Sequence, residues 1–172
     1  MKDKAKTNVR IAPLGEADIN PLVALAAEIW RAHYPAIISL AQIEYMLGQR
    51  YAPAVVRAEL KRRDLWWDQL LVENRMCGFA SYFVTANVGE MKLDKLYVHP
   101  DYQRQGYGGM LLDRAVTIAR AYGCATLMLA VNKRNRSAIA AYEKNGFRIS
   151  DSVVKDIGDG FVMDDYIMVR NV

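Results

Sequence analysis

Cysteine and histidine are scarce in this sequence, with two residues of each among 172. Cys77 and Cys124 lie far apart in apolar surroundings, so a disulfide framework is not expected. The two histidines, His33 and His99, belong to no cluster with metal-ligand spacing. The sequence therefore predicts neither a structural zinc site nor a metal cofactor.

Long hydrophobic runs and a strong charge of one sign are also absent. No apolar run approaches the roughly 18 residues that span a bilayer, so we expect no membrane partner. Residues 1–10 are basic and polar with no apolar segment behind them, so we expect no signal peptide and a cytoplasmic location. The net charge is only +4, without the basic block of a nucleic-acid-binding arm, so we expect no nucleic-acid partner.

The remaining composition is that of a packed domain. Hydrophobic residues make up 52% of the chain and charged residues 24%. At this length, the balance is typical of one compact domain with a sizeable core. No linker, repeat or low-complexity segment divides the chain, so we predict a single domain over residues 1–172.

Hydrophobic spacing predicts a mixed order of strands and helices. The predicted strands are 9–12, 68–73, 77–85, 92–98, 125–131, 147–154 and 161–170. The predicted helices run from Asp18 or Asn20 to about 32, and over 39–47, 52–63, 108–122 and 137–144. Ser39 is the predicted N-cap of the second helix, and Gly48 its predicted end. This order predicts an α/β fold, a mixed sheet with helices on both faces.

A glycine-rich loop follows the strand 92–98 and leads directly into a helix. Gly106, Gly108 and Gly109 allow backbone N–H groups to approach an anion without a Cβ in the way. The helix N-terminus adds partial positive charge, and Arg104 can add a charge-assisted contact. The pattern is neither a P-loop nor the dinucleotide-binding glycine motif, and taken alone it is also explained by a turn without a ligand. The loop and the helix N-terminus together are suited to a pyrophosphate, although from these residues alone a turn without a ligand is the better interpretation.

A second polar element lies at the start of the helix 137–144. Asn135 and Tyr142 are seven residues apart, close to two helical turns, so both lie on one face. For Asn135, a simple N-cap is at least as good an interpretation as a ligand contact. For Tyr142, composition alone favours a tyrosine packed in the core. The residues alone leave these alternatives open.

Three segments together resemble the GNAT superfamily of N-acetyltransferases. The run Gln103-Arg104-Gln105-Gly106-Tyr107-Gly108 is similar to the superfamily signature Q/R-x-x-G-x-G/A. The preceding Leu96-Tyr97-Val98-His99-Pro100 resembles its core strand, and residues 135–147 resemble its N-x-x-[AS]-x-x-x-Y…x-G-F element. The resemblance implies a mostly antiparallel central sheet of about seven strands, splayed between the fourth and fifth strands.

The resemblance also implies acetyl-CoA as cosubstrate. The loop N–H groups would bind its pyrophosphate, the signature strand would pair with its pantetheine arm, and Tyr142 would act as the general acid. The implied cofactor-binding residues are Leu96, Tyr97, Val98, Gln103, Arg104, Gln105, Gly106, Tyr107, Gly108, Gly109, Asn135 and Tyr142. A phenol can protonate a departing thiolate at little cost, because their pKa values are about 10 and 8.5.

Transfer to an amine further requires an oxyanion donor and a neutral nitrogen. The resemblance offers the backbone N–H of Val98, at the bulged end of the signature strand, as the donor. Asp94, expected on the same strand face as Val98, is the candidate base, since many family members have a glutamate near this position. An ion pair of Asp94 with the neighbouring lysines at positions 92 and 95 is an equally good interpretation.

The acceptor site is expected near the aromatic end of the first helix. Trp30, His33 and Tyr34 are the predicted substrate residues, and they suit a partly apolar or cationic acceptor. Asp164 and Asp165 can also face a cationic amine, although exposed acidic residues are the simpler interpretation.

The predicted function is therefore transfer of the acetyl group of acetyl-CoA to a primary amine of a small molecule or peptide. The attack would be direct, within a ternary complex. Two alternatives are a CoA-binding sensor domain without turnover and, on charge alone, a nucleic-acid-binding module. Family analogy also suggests a homodimer formed through edge strands at the C-terminus.

Overall fold

The computed structural model describes residues 7–172, which contain seven strands and five α-helices. The strands are β1 (Val9–Pro13), β2 (Leu65–Val72), β3 (Arg75–Val84), β4 (Glu90–Val98), β5 (Thr126–Asn132), β6 (Arg148–Gly158) and β7 (Phe161–Asn171). The helices are α1 (Ile19–His33), α2 (Leu40–Tyr51), α3 (Pro53–Leu60), α4 (Tyr107–Ala121) and α5 (Arg136–Lys144). The expected absence of a signal peptide concerns residues 1–10, of which 1–6 lie outside the described residues.

The strands form one sheet in the order β1-β2-β3-β4-β5-β7-β6. Each pair of neighbours is antiparallel except β4 and β5, which are parallel and pair only from Glu90 with Thr126 to Lys92 with Met128. Beyond Lys92 the two strands diverge, which confirms the predicted mixed, mostly antiparallel sheet splayed between its fourth and fifth strands. The splay leaves one edge of β4 available along its last six residues.

Helices cover both faces of the sheet, as predicted. One hydrophobic core joins α4 to the sheet through residues such as Leu111, Leu127 and Leu129, each at most 2% exposed. The other core joins α1, α2 and α3 to the opposite face through residues such as Ile29 and Ile43. Removing one such leucine side chain costs about 2–5 kcal/mol. The core beneath α4 therefore holds both β4 and β5, while the second core supports the opposite face of the sheet.

Helix α2 does not end at Gly48, so that prediction is wrong. The helix continues to Tyr51, which is buried against Trp67 and Phe79. Burial of an aromatic side chain stabilises the last turn by more than the ~1 kcal/mol that a mid-helix glycine costs. The predicted N-cap is confirmed, because the Ser39 hydroxyl accepts a hydrogen bond of 3.1 Å from the Gln42 backbone N–H.

No helix within residues 7–172 combines the length and the apolar character needed to cross a bilayer. The same residues contain no group of three or more His, Cys, Asp or Glu side chains placed to hold a metal ion.

Candidate active site

A cleft of about 960 Å³ opens where β4 and β5 diverge. It brings together all of the predicted site residues except Gln105. The lining includes Trp30, His33, Tyr34, Asp94, Leu96, Tyr97, Val98, Gln103, Arg104, Gly106, Tyr107, Gly108, Gly109, Asn135 and Tyr142. Gln105 lies in the exposed loop between Arg104 and Gly106. The cleft is thus bounded by the glycine-rich loop, the two splayed strands, α5 and the end of α1.

The glycine-rich loop presents a row of unused hydrogen-bond donors. Within residues 7–172, no protein group accepts a hydrogen bond from the backbone N–H groups of residues 104–109. Arg104 and Gly106 have positive φ angles of 59° and 84°, and such turns make successive N–H groups converge. The 15-residue helix α4 begins immediately afterwards and adds its partial positive charge. The loop is therefore built to bind an anion.

The end of β4 is shaped by close packing against β3. Gly78 lies opposite Val98, and a Cβ at Gly78 would meet the Tyr97 carbonyl oxygen at 2.8 Å, so only glycine fits there. The Gln103 side chain donates a hydrogen bond of 3.0 Å to the Val98 carbonyl. These contacts fix the position of Gln103, at the start of the loop, relative to the end of β4.

The bulge in β4 is at Asp94, not at Val98 as expected. Ser81 pairs with Lys95 and Tyr82 pairs with Leu93, which leaves Asp94 as the extra residue. An extra residue reverses the alternation of faces. Val98 consequently packs in the core beneath α4, whereas Asp94 faces α2 on the other side of the sheet. The expectation that the two share a face is wrong.

Asp94 is surrounded by cations. Its carboxylate lies 3.1 Å from Arg50, 2.7 Å from Lys95 and 3.6 Å from Lys92. Burial acts to raise the pKa of Asp94, but the charges of Arg50, Lys95 and Lys92 together hold it well below its ordinary value. A carboxylate held in this way is a weak proton acceptor at neutral pH. The contacts agree with the ion-pair interpretation of Asp94.

Asn135 and Tyr142 both face the cleft from α5. Asn135 is buried and caps the helix, accepting a hydrogen bond of 3.4 Å from the Ala138 N–H. Its side-chain oxygen also lies 3.2 Å from His33 Nε2, which links α5 to the end of α1. The side chain of Tyr142 lines the cleft, and within residues 7–172 its hydroxyl makes no hydrogen bond. Burial, followed by the nearby Tyr34, raises the pKa of Tyr142, so its proton is retained well above neutral pH.

Aromatic side chains form the wall beneath α1. The rings of Trp30 and Tyr34 lie 4.5 Å apart between centroids, and the Tyr34 and Tyr97 hydroxyls share a hydrogen bond of 2.9 Å. Trp30 and Tyr34 are buried, whereas His33 is half-buried. Tyr97 therefore serves the aromatic wall as well as the signature strand, a role that its position in the motif did not reveal.

Sequence reasoning missed Arg50, which lines the cleft together with Lys92 and Asp165. No local pattern marks Arg50, because only the packing of α2 against the bulge of β4 brings it to Asp94. For the adjacent acidic pair of β7, the sequence left two interpretations open: side chains that face a cationic amine, or two exposed residues. The second interpretation is wrong for Asp165. Asp164 is exposed and pairs with Lys133, whereas Asp165 is half-buried in the cleft.

The splayed sheet, with an anion-binding loop at one end of its cleft and a protonated tyrosine in its lining, defines an acyltransferase that uses an acyl-CoA donor. The acetyltransferase (GNAT) family model matches residues 25–147, which is more than half of the chain. The chain belongs to this family. It is an N-acetyltransferase, its acetyl donor is acetyl-CoA, and its acceptor is an amine.

Two relatives illustrate the range of acceptors in similar chains. The spermidine N(1)-acetyltransferase of Thermoplasma acidophilum is 27% identical over 161 residues, covering 91% of this chain and 96% of the relative. The ribosomal protein bS18-alanine N-acetyltransferase of Escherichia coli is 42% identical over 79 residues, covering 46% of this chain and about half, 52%, of the relative.

A solved structure supports the fold along the whole chain. The PaiA N-acetyltransferase of Thermoplasma acidophilum, solved in complex with coenzyme A, superposes with a TM-score of 0.84 at 26% identity. The superposition covers 96% of this chain and 99% of the other.

The residues of the loop fit the acetyl-CoA donor. A Cβ at Gly106 or Gly109 would meet nothing within 4 Å, and one at Gly108 would meet only Leu96, at 4.0 Å. The glycines therefore leave free space where a ligand can reach the N–H groups. The donor set of uncommitted N–H groups beside a helix N-terminus is that required by a pyrophosphate.

Proposed function

We propose that this enzyme transfers the acetyl group of acetyl-CoA to a primary amine of a small molecule or peptide by direct attack in a ternary complex. The observation that carries the proposal is that one continuous cleft contains both the anion-binding loop and the polar, aromatic end near Tyr34. When bound, acetyl-CoA supplies an acetyl group activated as a thioester. Donor and acceptor can occupy such a cleft together, which supports direct transfer.

The donor would be held by the loop and by the free edge of β4. The N–H groups of residues 105–109 would bind the pyrophosphate, with Arg104 and Gln103 beside them. The side chain of Tyr107 packs in the core, so this residue would contribute its backbone N–H alone. The unpaired edge over Leu96, Tyr97 and Val98 would bind the pantetheine arm as an added strand would. Asn135 would contribute from the start of α5.

Tyr142 would be the general acid. Its hydroxyl has no competing protein partner within the described residues, and its raised pKa keeps the proton on the oxygen at neutral pH. The proton would pass to the leaving thiolate, which is a weaker base in water than a phenolate, so the transfer is uphill by a small margin. The proton that the attacking amine releases would restore the phenol of Tyr142. The backbone N–H of Val98 would stabilise the negative charge on the carbonyl oxygen.

Asp94 would position Arg50 and Lys95 and would not act as the base. Its three cationic neighbours and its lowered pKa support this assignment. On the acceptor side, Trp30, His33 and Tyr34 would form the wall against which an apolar or cationic amine packs.

The proposal is tested by measuring free thiol release from acetyl-CoA across a panel of amines. The panel contains spermidine, peptides that begin with alanine, amino acids and aminoglycosides. Turnover with one class identifies the acceptor. Tight acetyl-CoA binding without turnover of any amine would favour the CoA-sensor alternative, and loss of CoA binding as well would overturn both.

We also propose that the chain acts as a single domain in the cytoplasm, without a nucleic-acid partner, and pairs into a homodimer. Both cores lie along the length of one sheet, which supports a single domain. Cys77 and Cys124 are buried free thiols, as is usual in a reducing compartment. The modest net charge argues against nucleic-acid binding. The exposed edge strand β6 supports pairing between copies.

A further inference from the structure

Asp165 stands out among the acidic residues because it lines the cleft and its carboxylate has no hydrogen-bond or ion-pair partner within residues 7–172. It lies on β7 between Asn132 of β5 and Val153 of β6. Its face of β7 also carries Met163 and Ile167, which line the same cleft. One carboxylate oxygen, Oδ1, is fully buried and accepts no hydrogen bond within residues 7–172.

A half-buried carboxylate with no hydrogen-bond or ion-pair partner within residues 7–172 is stabilised by a cation that binds beside it. Burial, followed by the charge of Asp164, raises the pKa of Asp165, in contrast to the lowered pKa of Asp94. The cations Lys92, Arg50 and Lys133 act in the opposite direction. None of the three lies within ion-pairing distance of Asp165. Arg50 and Lys92 pair with Asp94 instead, and Lys133 pairs with Asp164.

The position of Asp165 places its charge at the aromatic end of the cleft. The pKa of Tyr34 is raised mainly by burial, and the charge of Asp165 adds to that effect. Tyr34 in turn contributes to the raised pKa of Tyr142. All three side chains line the same cleft, with Tyr34 between the other two in these effects. Lys155 of β6 also lines the cleft and makes no ion pair within residues 7–172.

We infer that Asp165 binds the amino group of the acceptor, holding an alkylammonium group between its carboxylate and the Tyr34 and Tyr97 rings. An ammonium group offers three N–H donors, and it can form a charge-assisted hydrogen bond with the part of the Asp165 carboxylate that faces the cleft. The faces of the aromatic rings attract the positive charge of the ammonium group through cation–π contacts. This inference rests on the proposed function, since it names the acceptor-binding residue of the same cleft.

The test is Asp165→Asn, which keeps the side-chain shape and removes its charge. Loss of a hydrogen bond between charged groups, worth about 1.5–3 kcal/mol, raises KM for the amine by about 10- to 100-fold. The fall in kcat is smaller, and the calorimetric Kd for coenzyme A does not change. The matched control is Asp164→Asn, on the adjacent exposed residue, which leaves both constants unchanged.

Asp165→Glu separates a charge requirement from a folding defect, since it restores the carboxylate and recovers at least part of the affinity for the amine. If Asp165→Asn folds, binds coenzyme A and keeps its KM within about threefold of the wild type, the inference is overturned. An equal rise in KM for Asp164→Asn would overturn it as well.

If the wild-type chain turns over no amine, the proposed function fails and calorimetry alone decides the role of Asp165. Spermidine and an alanyl peptide are then titrated into the enzyme saturated with coenzyme A. Binding that is lost in Asp165→Asn and kept in Asp164→Asn supports the inference. Binding that is equal in both variants, or undetectable in the wild type, overturns it.

Discussion

Single side chains in the cleft differ in how their surroundings set their protonation. Tyr142 is held protonated by burial, Asp94 is held ionised by three cations, and Asp165 has a raised pKa. The two carboxylates share one cleft and one ordinary pKa, so differences in local charge and burial alone separate Asp94 from Asp165. Their distinct roles follow from these environments.

Replacement of Tyr142 by phenylalanine removes a proton donor and leaves the ring packing in place. We expect Tyr142→Phe to lower kcat by roughly 100-fold or more, the usual contribution of a general acid, with an unchanged Kd for coenzyme A. Thiol release and calorimetry measure the two quantities. Tyr122→Phe is the control, because Tyr122 is exposed at the end of α4 against Trp66, and its turnover should equal that of the wild type. Normal turnover in Tyr142→Phe would remove the acid from the mechanism.

Replacement of Asp94 by asparagine should act on stability first. We expect Asp94→Asn to lower the free energy of unfolding at pH 7 by roughly 3 kcal/mol, because Arg50 loses its buried partner. Urea unfolding measures the change. Asp64→Asn, which breaks the exposed pair with Arg62, should cost at most about 1 kcal/mol. Normal stability combined with a large loss of turnover would restore Asp94 as the base.

The same carboxylate predicts a pH dependence of stability. The pKa of Asp94 is lower in the folded chain than the roughly 3.9 expected when unfolded, so its pairing stabilises the fold above that value. That contribution is lost as the pH falls below about 4 towards the lowered folded pKa. Unfolding measured at pH 7 and at successively lower pH should therefore show a narrowing gap between the wild type and Asp94→Asn. A constant gap would contradict the assignment.

At the scale of elements, the loop and the start of α4 act as one unit. Gly106 has a φ angle of 84°, and a side chain there costs about 1–2 kcal/mol in backbone strain. We expect Gly106→Ala to raise the Kd for coenzyme A about 10-fold, because the N–H groups no longer converge. Calorimetry provides the measurement. Gly48→Ala is the control within α2: it should leave this Kd unchanged and add up to about 1 kcal/mol of stability. Equal affinities in both variants would contradict the loop assignment.

At the scale of the whole molecule, the sheet ends in an exposed edge. Strand β6 has 11 residues, and its exposed apolar side chains include Val153 and Val154, the latter 65% exposed. Long apolar edges tend to pair with another strand. We expect a dimer in sedimentation velocity at micromolar concentration, and a monomer for Val154→Lys. Lys155→Arg serves as a control that keeps the edge charge, and a monomeric wild type would exclude this pairing.

Much of the fold was determined by sequence-local features. Alternation and helical spacing placed the seven strands and five helices within a few residues, since these periodicities depend on neighbouring side chains alone. The glycine-rich loop and the Asn135 to Tyr142 spacing were also local, because each lies within one turn or one helix. Through their resemblance to the family's motifs, these segments indicated which residues line the cofactor site.

Tertiary structure alone decided the rest. The end of α2 depended on Tyr51 reaching Trp67, and the face of Asp94 depended on a bulge set by pairing with β3. Asp165 is left without an ion-pair partner because the cations that other segments bring to the cleft pair with Asp94 and Asp164. Burial and charge in a cleft arise from residues far apart in the chain, so the local sequence predicted which side chains are present, while packing decided which carboxylate is paired and which is left for a ligand.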